Sequence, residues 1–158
     1  MSRARATAPS PGHRHLAFSD IEWHEGHERV AEGIDFVRRA VSEWQVGTEA
    51  LGGDEEQAVD VLLVAAELLS NAERHGGGAT AIDIEPRSGA LCLTVTDVSP
   101  LPPRQVRPHL PERTSGHGLY IIDRLSTAWG WVPCRSGKAV WAELPAGSLQ
   151  ARCDRAAM

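Results

Sequence analysis

The sequence predicts a single domain of mixed α and β structure, and three observations carry that prediction. Apolar residues recur at steps of three and four over two long segments, 28–44 and 55–75, which is the spacing of a helix face. Two later segments, 80–97 and 127–144, each split into a pair of short alternating runs around a turn, the pattern of a hairpin with one face on a core. The chain has 158 residues, of which 42% are hydrophobic and 23% charged, enough apolar material to bury a core and too much for a chain disordered throughout.

Residues 1–15 hold Arg3, Arg5 and Arg14, two prolines and no acid, and read as a flexible basic arm. The segment 15–24, ending in Ile21-Glu22-Trp23-His24, reads as a short edge strand. From Glu28 onward Val30, Ile34, Val37, Val41 and Trp44 lie on one face of a first amphipathic helix. Gly47, Gly52 and Gly53 break it. Asp54 then caps a second helix, with Gln57 completing a capping box and Glu55 and Glu56 placed favourably against the helix dipole. Val59, Leu62, Leu63, Val64, Ala66 and Leu69 make that helix apolar over much of its girth, so it should be largely buried, and Gly76-Gly77-Gly78 ends it. Residues 80–85 and 91–97 form the first hairpin, turning at Pro86-Arg87-Ser88-Gly89. A connection over 98–116 carries five of the ten prolines, and a loop of that length inside a compact domain is commonly a lid or binding loop, or else disordered. A short helix over 119–125 opens at Gly116-His117-Gly118, and a last hairpin turns at Arg135-Ser136-Gly137-Lys138. The folded part is expected over 16–145, with a loose tail over 146–158.

Composition narrows the function classes. Sixteen Lys+Arg against 21 Asp+Glu leave a formal charge of −5, which disfavours an electrostatic grip on nucleic acid. No stretch approaches the roughly 20 apolar residues that span a bilayer, and no apolar run follows the first residues, so no membrane association is expected and a cytoplasmic location is. Cys92, Cys134 and Cys153 are odd in number and far apart, against both a disulfide framework and a zinc knuckle.

Three constellations carry possible chemistry. Glu67, Asn71 and His75 are spaced four and four, a polar stripe on an otherwise apolar helix. A carboxylate there can act as a general base and a carboxamide oxygen can ligate Mg²⁺; the same stripe also suits a solvated helix face. Asp97 ends a strand before Val98-Ser99-Pro100. It can accept a hydrogen bond from an exocyclic amine such as adenine's, or serve as a turn residue bonded to its own backbone. Ser115-Gly116-His117-Gly118-Leu119 leads into a helix, where glycines let N–H groups approach phosphate oxygens, or simply make the turn. The long loop holds Arg104, Arg107 and Arg113 against Glu112, a charge that suits a lid over a triphosphate or an ordinary exposed loop.

These residues resemble a known family. Glu67-Leu-Leu-Ser-Asn71-Ala-Glu-Arg-His75-Gly76 is similar to the N box of the GHKL ATPase and histidine-kinase superfamily, and Thr96-Asp97-Val-Ser-Pro100 to its adenine-binding box. Ser115-Gly116-His117-Gly118-Leu119, Trp129-Gly130 and Gly137-Lys138-Ala-Val-Trp141-Ala-Glu143-Leu144 resemble its small single-domain branch, which contains anti-sigma-factor serine/threonine kinases. The resemblance covers about 28–145. It implies a Bergerat-type α/β sandwich, a mixed and mostly antiparallel sheet with helices on one face, with ATP between the second helix and the lid.

Residue by residue, the resemblance makes Glu67 the catalytic base, Asn71 the Mg²⁺ ligand, Asp97 the adenine-recognising carboxylate and Gly116 and Gly118 the phosphate-facing glycines. It adds Arg74, His75, Ser99, His117 and Leu119 as nucleotide-site residues. The family's adenine box reads Asp-x-Gly-x-Gly, whereas Ser99 and Leu101 stand at those positions here, so the turn is built without glycine's freedom at positive φ. His13, His15, His24 and His27 match no motif and read as surface residues.

The implied function is that of a cytoplasmic regulator that binds Mg·ATP, phosphorylates a protein antagonist on Ser or Thr, and sequesters a sigma factor. A homodimer is implied as well; Trp23 and Trp44 are candidates for its interface, while five tryptophans in one small domain are more often core than interface. The alternative is a nucleotide-binding or nucleotide-free switch protein that acts only by sequestering partners; Glu67 favours the first, because binding alone needs no base. A plain ATPase ranks third.

Overall fold

The computed structural model describes residues 12–18, 26–45, 54–87, 89–103 and 117–145. Its elements run β1 (Arg14–Ala17), α1 (Gly26–Gln45), α2 (Asp54–His75), β2 (Ala79–Arg87), β3 (Ala90–Asp97), α3 (His117–Leu125), β4 (Ala128–Cys134) and β5 (Gly137–Pro145). The five strands form one sheet in the order β1-β2-β3-β5-β4. Every pairing among them is antiparallel, the sense that predominates in the sheet the resemblance implies. The fold is α+β, as the GHKL resemblance implies.

Alternation builds the core. Ile82 and Ile84 of β2, Leu91, Leu93 and Val95 of β3, and Val140, Ala142 and Leu144 of β5 all turn to the same side and are buried. Against them pack Val37, Val41 and Trp44 of α1, Val61, Val64, Leu68 and Leu69 of α2, and Leu119 and Ile122 of α3. Burying each such side chain is worth about 1.5–3 kcal/mol. The bare backbone of Gly33 on α1 leaves room for α2: a Cβ there would lie 2.6 Å from Leu69 Cδ1.

Continuing the same alternation, Asp97 follows Leu91, Leu93 and Val95 onto the helix-covered face, and Lys138 precedes Val140 on it. The pairing of β3 with β5 sets Asp97 directly opposite Lys138. The opposite face of the sheet carries Asp83, Glu85, Thr94, Thr96 and Glu143, all partly buried.

Several boundaries differ from the sequence reading. The edge strand expected over 15–24 is Arg14–Ala17, which takes its first residues from the presumed arm; residues 1–11 and 19–25 lie outside the described residues. Side chains explain the shift. His13 Nε2 and His15 Nδ1 each lie 2.8 Å from Asp83 Oδ1, and the Arg14 guanidinium sits 5.4 Å from the Trp44 ring centroid while pairing with Glu43. Trp44 is 5% exposed and belongs to the core, so it is withdrawn as an interface candidate. Gly137 and Lys138 are strand residues, because the last hairpin turns over 135–136 alone. α3 starts at His117, two residues earlier than expected.

Candidate functional site

The site lies where the end of α2 crosses the end of β3. Helix α2 stops because its glycines supply what other residues resist: Gly77 sits at φ +73°, and Gly76 N and Gly78 N both donate back to Ala72 O at 3.0 Å. Val98 N then donates to Gly76 O at 3.1 Å, tying the two ends together. Gly76 must be glycine for space. A Cβ there would lie 2.5 Å from Asp97 Cγ and 2.7 Å from Ala72 O, and would collide with Asp97 Oδ2.

Two further ties orient the helix. Arg29 of α1 grips Glu73 of α2 in a bidentate pair, Nε to Oε1 at 3.0 Å and Nη2 to Oε2 at 3.2 Å. Glu73 Oε1 also accepts from Ala79 N at 2.8 Å, so one carboxylate joins α1, α2 and the start of β2. The bond to Glu73 raises the Arg29 guanidinium further above its ordinary value, against a smaller opposing effect of burial.

Asp97 is 2% exposed and Lys138 4%. Lys138 Nζ donates to Asp97 Oδ2 at 2.9 Å and Oδ1 at 3.1 Å, and reaches Ser99 O at 3.4 Å. Ser99 N donates to Asp97 Oδ1 at 3.0 Å, and Leu101 N to Ser99 Oγ at 3.3 Å. Of the two roles open to Asp97 from sequence, the turn role is therefore realised through its bond to Ser99. The departure from Asp-x-Gly-x-Gly is also explained: no described non-glycine residue has positive φ, and the two side-chain bonds shape the turn instead.

One and two turns back from His75 along α2 stand Asn71 and Glu67, both half-buried. Asn71 Nδ2 is buried and has no hydrogen-bond partner among the described residues, and a buried amide left unpaired costs about 1–3 kcal/mol. A polar ligand at this helix face would supply the missing partner. The carboxamide can also turn to offer its oxygen, so its chemistry fits a hard cation held against phosphates. Arg74 and His75 are exposed at the helix end.

Gly116 lies outside the described residues, as do the arginines at 104, 107 and 113. His117 and Gly118 open α3, which packs beside α2. Leu119 is 5% exposed within the core, where its side chain anchors α3. Among the described residues no group of three or more His, Cys, Asp or Glu is arranged to hold a metal. Sequence reasoning missed Lys138, Arg29 and Glu73. The first was signalled by composition, since it is the single lysine among sixteen basic residues.

Residues 29–142 match the family model of the histidine kinase-like ATPase domain. The chain belongs to this family. The matched region holds every site residue described above, from Arg29 to Lys138, and makes the protein an ATP-binding domain of the GHKL type. No curated protein shows significant similarity to the chain. No helix among the described residues is long and apolar enough to cross a membrane.

Proposed function

We propose that this histidine kinase-like domain is a protein serine/threonine kinase of the anti-sigma-factor kind, which transfers phosphate from Mg·ATP to an antagonist protein and sequesters a sigma factor while that antagonist is lacking. The single observation that carries the reading is the α2 stripe, in which a carboxylate, Glu67, sits one helical turn from the unpartnered amide of Asn71 on the helix that ends against Asp97. A domain that only bound nucleotide would need Asn71 and Asp97. It would not need Glu67.

In this reading Asp97 accepts a hydrogen bond from the exocyclic amine of adenine, and Asn71 offers its amide oxygen to Mg²⁺. Arg74 and His75, exposed at the end of α2, and the backbone at Ser99, His117 and Gly118 line the nucleotide. A Mg²⁺ ion held by Asn71 would offset the negative charge of the triphosphate. Glu67 takes the proton from the attacking serine or threonine hydroxyl as its oxygen bonds to the γ-phosphorus; the bond to the β-γ bridging oxygen breaks, and ADP leaves. The remaining contribution is positioning, for which the Arg29–Glu73 tie and the Asp97–Lys138 pair hold the helix and strand ends. A cytoplasmic homodimer fits a regulator of this kind.

The reading is tested by incubating the purified protein with γ-labelled ATP and an extract of its own host cells, beside a Glu67→Ala variant. Label on a serine or threonine of one small extract protein, absent with the variant, is the expected result. Equal labelling by both proteins, or none by either, would overturn it.

A further inference from the structure

The chain uses arginine for fifteen of its sixteen basic residues and keeps one lysine, and that lysine is buried at the base-recognition carboxylate. Taking a lysine and an aspartate out of water is costly, and such a pair is weak ground for stability alone. Its geometry gives it another use. An ionised carboxylate has about four lone-pair positions. Lys138 Nζ engages Oδ1 and Oδ2 together, and Ser99 N takes a second position on Oδ1. Among the described residues that leaves one acceptor position, on Oδ2. The same oxygen is the one a Cβ at Gly76 would strike, so the absence of a side chain there keeps it clear. Gly137 is held to glycine from the other side, where a Cβ would collide with Asp97 O.

Lysine suits this place better than arginine. Its compact ammonium carries three donors on one atom, and here all three have an acceptor within 3.4 Å: the two oxygens of Asp97 and the carbonyl of Ser99. Because Ser99 donates to Asp97 and accepts from Lys138, the lysine fixes both the carboxylate and the turn that follows it.

We propose that Lys138 is a positioning residue of nucleobase recognition: it clamps Asp97 so that one acceptor and no donor is presented, which makes the site select a purine bearing an exocyclic amine over one bearing a carbonyl at the same position. The proposal rests on the reading of Asp97 as the adenine contact. Without Lys138 the carboxylate keeps only the bond from Ser99 N, so its orientation is no longer fixed, and an acceptor not held in place discriminates less between the two bases.

The test is calorimetric titration of wild type and Lys138→Met with Mg·ATP and with Mg·ITP, whose base places a carbonyl where adenine has its amine. Wild type is expected to prefer ATP by about tenfold or more, and the variant to bind the two within about threefold of each other. A folded variant that keeps the wild-type ratio overturns the proposal while leaving ATP binding intact. Wild type that binds neither nucleotide overturns it together with the reading beneath it. A second measurement does not depend on the variant's folding. With isotope-labelled lysine the wild-type chain gives one side-chain ammonium signal, which saturating Mg·ATP is expected to shift and Mg·ITP at equal occupancy to shift less. A signal indifferent to bound ATP, or shifted equally by both, overturns the proposal.

Discussion

Replacing Gly76 by alanine places a methyl group where α2 ends against β3. The built Cβ lies 2.5 Å from Asp97 Cγ, and ordinary contact begins near 3.4 Å, so about 0.9 Å of movement is required. The carboxylate is not free to give it. Lys138 holds both its oxygens and Ser99 N one of them, at 2.9–3.1 Å, and moving them outward by that amount lengthens hydrogen bonds beyond their working range. Ala72 O, 2.7 Å from the added carbon on the other side, prevents the helix from retreating without losing its last bonds. Overpacking of this kind costs about 2–3 kcal/mol, and nucleotide affinity should fall by about tenfold or more because Asp97 is displaced. Gly89→Ala is the control. Its φ of +70° makes alanine cost about 1–2 kcal/mol, yet nothing lies within 4 Å of the new carbon and the turn is remote from the site. Urea unfolding and Mg·ATP titration of both variants separate the effects. Wild-type affinity in Gly76→Ala, or a stability loss no larger than that of Gly89→Ala, would refute the reasoning.

Other expected outcomes follow from the same geometry. Glu67→Ala should lower phosphoryl transfer by about 10²- to 10⁴-fold while Mg·ATP affinity stays near wild type, as single-turnover assays beside calorimetry would report. Glu73→Ala removes the acceptor shared by Arg29 and Ala79 N, and urea unfolding should show a loss of about 1.5–3 kcal/mol. Burial pushes the Cys92 thiol above its ordinary value, with nearby Arg87 opposing the shift. Cys134, exposed at the end of β4, should therefore react readily with a thiol reagent at mildly alkaline pH, while Cys92 reacts only on unfolding. Because the raised thiol ionises more easily in the unfolded chain, its contribution to stability is complete below the ordinary thiol range and is lost as pH rises above it.

Local patterns made part of this site legible. Glu67 and Asn71 are four residues apart on one helix, so periodicity alone put them on one face, and Asp97 could be seen at a strand end. Lys138 could not be placed, because its partner is 41 residues away and its position depends on the register of β5 against β3. In sequence it looked like part of a turn. The Arg29–Glu73 tie spans 44 residues and was hidden for the same reason. Trp44 lies on the apolar stripe that periodicity drew through Val30, Ile34, Val37 and Val41, and it is buried as that stripe predicts, with Arg14 from β1 covering it in addition. The edge strand was misplaced because four residues carry too little alternation to set bounds, and pairing with β2 decides them.

The central claim is that the end of α2 and the end of β3 together form a Mg·ATP site. Calorimetric titration of the purified protein with Mg·ATP, beside Asn71→Ala, tests it most directly. Saturable binding by the wild type that is lost or weakened by about tenfold or more in the variant is the predicted result. No binding at millimolar nucleotide, or equal binding by the two proteins, would contradict it.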